Sequence, residues 1–148
     1  MSAFSQPLIR RIEERDFERV SEITNYHFPH VRVTPSKILK RLSKGFDYFV
    51  VVVDGVVAGF ADFKLMERKV KLMGLAVDPE FRQMGIGSAL LAKICEVAVR
   101  EGKSAAYLQV KQSNPPAIKL YQRNGFVITR EVEKGAESFY VMSKSLET

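Results

Sequence analysis

The chain has 148 residues, 46% hydrophobic and 27% charged, which is room for one buried core and the balance of a folded rather than a disordered domain. No apolar run approaches the roughly 20 residues of a membrane-spanning helix. The segment Met1 to Gln6 lacks the features of a secretion signal, and the lone Cys95 gives neither a disulfide framework nor a thiolate-rich metal site, so a cytoplasmic protein without metal is expected.

In chain order, Leu8 to Ile12 reads as a short strand, and Asp16 is placed to cap a helix in which Phe17, Val20 and Ile23 recur at helical spacing. Thr34-Pro35 predicts a second helix start, with Ile38, Leu39 and Leu42 as its apolar stripe and Gly45 as its end. Between Glu22 and Asp47 the chain has no acid, while His30, Arg32, Lys37, Lys40, Arg41 and Lys44 all fall there. That run reads either as a solvated helix face or as a landing surface for an acidic substrate. Strands follow over Tyr48 to Val53 and Val56 to Phe63, joined by Asp54-Gly55, a pair suited to the positive backbone angles of a tight hairpin. Val70 to Val77 is a third strand, stopped by Asp78-Pro79. Leu90, Leu91, Ile94, Val97 and Ala98 mark an amphipathic helix. Ala105 to Lys111 is again a strand, Pro115 to Arg123 a helix closed by Gly125, and Phe126 to Val132 with Phe139 to Leu146 the last two strands. The alternation argues for a mixed sheet covered by helices, with residues 1–148 as a single domain.

The most informative segment is Val77-Asp78-Pro79-Glu80-Phe81-Arg82-Gln83-Met84-Gly85-Ile86-Gly87-Ser88. A strand ends, a loop with two glycines follows, and a helix begins at once. The first turn of a helix leaves its N–H groups unpaired, and glycine lets the main chain approach an anion closely. With the positive end of the helix dipole, this makes a cradle for a diphosphate. No Gly-Lys-Ser/Thr follows, and the first glycine of a dinucleotide fingerprint is missing, so neither of those nucleotide-binding classes fits.

Leu75-Ala76-Val77-Asp78-Pro79, Arg82-x-x-Gly85-x-Gly87 and the following Leu90-Leu91 resemble the acetyl-CoA signature of the GNAT N-acetyltransferase superfamily. Downstream, Asn114-Pro115-Pro116-Ala117-Ile118-Lys119-Leu120-Tyr121-Gln122-Arg123-Asn124-Gly125-Phe126 resembles the family's second motif, one helix and one strand later. The closest likeness is to the protein N-terminal and ribosomal-protein alanine acetyltransferases. The resemblance implies an α/β fold, a mostly antiparallel mixed sheet of about seven strands with a splayed central pair, flanked by about four helices. It implies an enzyme that passes the acetyl group of acetyl-CoA, its co-substrate, directly to a primary amine in a ternary complex. Carried over, the main chain of Leu75, Ala76 and Val77 binds the pantetheine arm, the N–H groups of Gln83, Met84, Gly85, Ile86, Gly87 and Ser88 hold the diphosphate, and Asn114 contacts the cofactor. Arg82 positions and neutralises charge rather than catalysing.

Acyl transfer to an amine needs a proton removed from nitrogen, an oxyanion stabilised and a donor for the departing sulfur. Tyr121 shares a helix face with Ile118 and alone would be a core aromatic; within the motif it is the candidate donor to the thiolate. A phenol near pKa 10 facing a thiol near 8.5 acts there mainly as a positioned hydrogen-bond donor. The general base stays unassigned. Gln109 stands where the alanine acetyltransferases often carry a glutamate, and an amide takes no proton at neutral pH. Glu67, Asp62 and His27 are substitutes, beside a water chain to main-chain carbonyls.

The expected partner is an amine acceptor, either a protein N-terminus or a small molecule such as a polyamine. Tyr26, His27 and Phe28 are candidate pocket residues, and Glu133 and Glu137 candidate attractors for a cationic amine. Val132 and Glu133 replace the tyrosine pair usual in N-terminal acetyltransferases, which keeps small amines in play. A silent acyl-CoA-binding module is the alternative. Membranes and nucleic acid are not expected partners, and a homodimer is left open.

Overall fold

A computed structural model describes residues 6–147, so most of the Met1–Gln6 segment lies outside the described residues. The elements run β1 (Leu8–Arg11), α1 (Phe17–His27), α2 (Pro35–Ser43), β2 (Phe46–Val53), β3 (Val56–Leu65), β4 (Lys69–Val77), α3 (Ile86–Arg100), β5 (Ala105–Lys111), α4 (Pro115–Arg123), β6 (Val127–Lys134) and β7 (Glu137–Ser145). The seven strands form one sheet in the order β1-β2-β3-β4-β5-β7-β6, antiparallel throughout except where β4 meets β5.

The continuous apolar run of β2 has a simple cause: both faces of the sheet are covered. Phe49, Val51 and Val53 face α3 and pack with Leu90, Leu91 and Ile94, whereas Tyr48 and Val50 face α1 and α2 and pack with Val20, Ile23 and Ile38. The β2–β3 hairpin turns through Asp54 at φ 50° and Gly55 at φ 80°, the mirror-image turn that their sequence asks for. Cys95 is buried in the α3 core, where burial pushes its thiol up. Among the described residues no helix is long and apolar enough to cross a membrane.

Two local expectations are corrected. Asp16 does not cap α1 through its side chain; it accepts the main-chain N–H of Glu13 at 2.8 Å and both guanidinium nitrogens of Arg10, at 2.7 and 3.0 Å. A buried carboxylate takes the charged donor within reach before an open helix end. In α2, Thr34 caps as read, accepting from Lys37 N–H, and Ile38 is buried, but Leu39 is 60% exposed. The helix is one face narrower in its burial than its apolar residues imply.

Candidate active site

The site is set by an interruption in the sheet. β4 and β5 pair in parallel only through Lys69–Ala105, Val70–Ala106 and Lys71–Tyr107. Beyond these, β4 stays with β3 to Val77 while β5 stays with β7 to Lys111, and the two strands part. The open seam is a cavity of about 480 Å³ walled by Leu75 from β4, Gln109 and Val110 from β5, Asn114 at the N-cap of α4 and Tyr121 within it. His27, Phe28 and His30 close it from the α1 side.

At one end of the seam lies the glycine loop. Asp78 accepts the N–H of Glu80 at 2.9 Å, the chain makes a single 3-10 turn, and α3 begins after Gly85. Gly85 sits at φ 72° and Gln83 at φ 65°, left-handed conformations that turn successive N–H groups the same way. The first helical bond of α3 runs from Ala89 N–H to the carbonyl of Gly85. Among the described residues no main-chain N–H from Gln83 to Ser88 makes a hydrogen bond, and no side chain caps α3. Six predicted diphosphate donors are therefore brought together with nothing to satisfy them.

Gly87 serves a different purpose from Gly85. A Cβ there would stand 3.0 Å from Leu120 Cδ2, so its bareness lets α4 dock on the first turn of α3. Asn124 completes the joint, donating to Ser88 Oγ at 3.0 Å and to the Leu120 carbonyl at 2.8 Å. This residue was not singled out in the sequence, although its place before Gly125 offered a hint. The joint fixes Tyr121 relative to the loop. Its ring packs edge-on to Phe126, with centroids 6.0 Å apart, and its hydroxyl has no hydrogen-bond partner among the described residues. Burial pushes that hydroxyl up to about 12, so it holds its proton at every working pH. Asn114 caps α4, its Oδ1 reaching Ala117 N–H at 3.4 Å, while lining the cavity.

A second cavity of about 320 Å³ opens beside the first, sharing Phe28, Met73 and Gly74 as its boundary. The boundary is a bulge: the β3–β4 register jumps from Asp62–Gly74 to Phe63–Leu72, leaving Met73 without an opposite residue. Asp62, 5% exposed, accepts the Gly74 N–H at 2.9 Å and is paired with Arg41 of α2. Burial pushes the Asp62 carboxyl above the ordinary range, and Arg41 and the Gly74 N–H pull against it. Arg41 in turn donates to the Tyr48 hydroxyl at 2.9 Å and lies 4.1 Å from the Phe46 ring centroid.

Of the substitute bases, His27 reaches the main cavity, with Nε2 buried and unpartnered among the described residues. Asp62 lines only the side cavity, and Glu67 is exposed beyond the closed end of the seam. Gln109 is held by Lys134, whose Nζ donates to Oε1 at 2.9 Å. The hairpin glutamates are already engaged: Glu137 pairs with Lys111 at 2.7 Å, and Glu133 accepts from Ser138 at 3.0 Å.

Residues 8–126 match the model of the acetyltransferase (GNAT) family. The chain is 33% identical over 78 residues to the [Ribosomal protein bS18]-alanine N-acetyltransferase of Escherichia coli K12, a stretch covering 53% of each protein, so it spans about half the length of that relative. To an N-alpha-acetyltransferase of Sulfurisphaera tokodaii it is 34% identical over 116 residues, 67% of this chain and 69% of the other. The crystal structure of Ard1 from Thermoplasma volcanium superposes with a TM-score of 0.83 at 27% identity, covering 96% of this chain and 99% of that one.

Proposed function

Because the chain belongs to the acetyltransferase (GNAT) family, we propose that it transfers the acetyl group of acetyl-CoA to the α-amino group of a polypeptide. The observation that carries this reading is the parted seam between β4 and β5, with unsatisfied donors at one end and Tyr121 of α4 among the residues that line it. The residues fit coenzyme A. Six bare N–H groups and the dipole of a 15-residue helix suit its diphosphate, and a slot between two strands suits an extended pantetheine arm.

Acetyl-CoA supplies an acetyl group activated as a thioester. The chain does the rest. Main-chain donors of Gln83 to Ser88 anchor the anion, and the free edge of β4 from Leu75 to Val77 offers peptide groups to the arm. Tyr121, un-ionised, offers a hydrogen bond to the sulfur that leaves. With so high a pKa it acts as a donor in place and not as a strong acid. Holding both reactants in one slot supplies much of the remaining acceleration.

A polypeptide acceptor is favoured over a small cationic amine by two features. The side cavity beyond Met73 and Gly74 gives room for the side chain next to the reacting nitrogen, and its walls from Phe28, Val31, Val33 and Phe60 are apolar. Of the glutamates that would draw a polyamine, Glu137 is already paired with Lys111. The names of the two relatives above point the same way. The test is mass spectrometry of N-terminal peptides incubated with acetyl-CoA, beside spermidine and other small amines. An acetyl group on the peptide α-nitrogen is expected; acetylated spermidine with untouched peptides would overturn the reading.

A further inference from the structure

The cation-rich stretch from His30 to Lys44 acquires a location in the fold. Among the described residues Arg41 is the one member in an ion pair, with Asp62. Arg32, Lys37, Lys40 and Lys44 are exposed and, among the described residues, none is in an ion pair. Elsewhere among the described residues Arg10, Arg11, Arg15, Arg19, Lys93, Arg100 and Lys111 pair with carboxylates, while others such as Arg68, Lys71, Lys119 and Arg130 do not. What sets this patch apart is its sequence: no Asp or Glu stands between Glu22 and Asp47, so α2 and the loop before it carry cations without an acid among them.

Its orientation follows from helix geometry. Positions 37, 41 and 44 lie at i, i+4 and i+7, on one face of α2 and its C-cap. Arg41 lines the side cavity, so Lys37 and Lys44 share a helix face with a residue of its wall. The preceding loop brings His30 to the main cavity and Val31 to the side cavity, and the Lys37 ammonium donates to the Arg32 carbonyl, fastening loop to helix. A chain that left the seam past Met73 and Gly74 would enter the side cavity, on whose wall Arg41 of α2 stands.

We propose that the rim formed by Arg32, Lys37, Lys40 and Lys44 is a docking surface for an acidic segment of the acceptor polypeptide. The carboxylates lie in the few residues that follow the acetylated one. The proposal rests on the polypeptide reading above and adds the chemistry of what comes after the first residue. Length sets the window: nine helical residues span about 13 Å, roughly four residues of extended chain, so the acids fall near positions 2 to 6. Exposed pairs are individually weak, but four unneutralised cations act together on encounter and register. The effect belongs in KM and fades with salt, because these charges lie in water.

The experiment compares two peptides with the same first residue, one carrying Asp and Glu at positions 2 to 5, the other Lys. Both are assayed with the full chain and with the triple variant Lys37→Glu/Lys40→Glu/Lys44→Glu, whose CoA binding by calorimetry reports an intact fold. The acidic peptide is expected to show a KM about tenfold lower, with kcat within about twofold. The variant should reverse the order, and raising NaCl from about 50 to 500 mM should erase it. Equal KM values, or a preference kept by the variant, overturn the proposal. So does an RNA oligonucleotide that displaces a labelled acidic peptide at lower concentration than unlabelled peptide, since the rim would then be a nucleic-acid surface. Failure to acetylate any peptide would fall on the acceptor reading instead. Anisotropy of the labelled acidic peptide with the CoA-loaded protein still decides the rim: no binding, or binding unchanged by the triple variant, sinks it.

Discussion

The two banks of the seam are built from different materials. On the α3 bank the groups that would meet a ligand are main-chain N–H, aligned by positive φ at Gln83 and Gly85 and by the start of a helix. On the α1–α2 bank they are side chains: Arg41 from α2 holds Asp62 on β3, which holds the Gly74 N–H of the bulge. The first bank tolerates many side chains so long as two positions stay small or turn left-handed. The second depends on particular atoms meeting across three elements. Substitutions should therefore fail in different ways, by weakened CoA binding on one bank and by loss of stability on the other.

The largest effect is expected at Arg41. Arg41→Met leaves a buried carboxylate without its cation, a loss of about 3–5 kcal/mol. For a chain of this size that lowers the melting temperature by roughly 10 °C. The sign with pH is specific. Asp62 already titrates above its ordinary 3.8, and losing Arg41 raises it further, so the folded variant takes up a proton more readily than the unfolded one. Its deficit against wild type should shrink as pH falls toward the acid range, measured by urea unfolding of both proteins between about pH 4 and 7. A deficit independent of pH would mean that lost packing on Phe46, not the orphaned charge, is the cause.

Next in size is Tyr121, on the element that joins the banks. Tyr121→Phe should lower kcat about a hundredfold while leaving the calorimetric affinity for CoA unchanged. Since the hydroxyl titrates near 12, it contributes no alkaline limb to the wild-type profile below about pH 11. Unchanged turnover in the variant removes the donor role. Smaller again is Gly85→Val, the probe of the main-chain bank. A Cβ there meets no atom within 4 Å, so the cost is the left-handed backbone itself, about 1–2 kcal/mol. CoA should bind about tenfold more weakly. Gly85→Asn, which tolerates φ > 0, should lose less.

The same contrast explains what could be read from the sequence. Helical periodicity and glycine placement are local signals, so the element order was legible, whereas the parted pair near Val70 to Val77 was legible only through the family resemblance. The bulge at Met73 was not, because a register shift is a property of two strands and leaves no local mark. Nor was the Arg41–Asp62–Gly74 chain, whose members are far apart in sequence and meet only when α2 lies over the sheet. Leu39 was misassigned for a related reason: periodicity says which residues share a face, but not how wide a face the neighbours will cover.

The smallest effect tests the link between the banks. Arg19 of α1 pairs with Asp78, which ends β4 and opens the glycine loop. Burial raises the Asp78 carboxyl, but the Glu80 N–H and the Arg19 guanidinium outweigh it and hold the group below its ordinary 3.8. A depressed carboxyl adds stability above the unfolded value and loses it as pH falls through the folded one. Asp78→Asn keeps an acceptor for Glu80 N–H and removes only the charge, so it should cost about 1 kcal/mol at neutral pH. The difference from wild type should stay level down to about pH 5 and close below about pH 4. Urea unfolding of both proteins across that range measures it. A gap that does not shrink as pH falls from about 5 towards 3 would show that Asp78 holds the two banks by shape and not by charge.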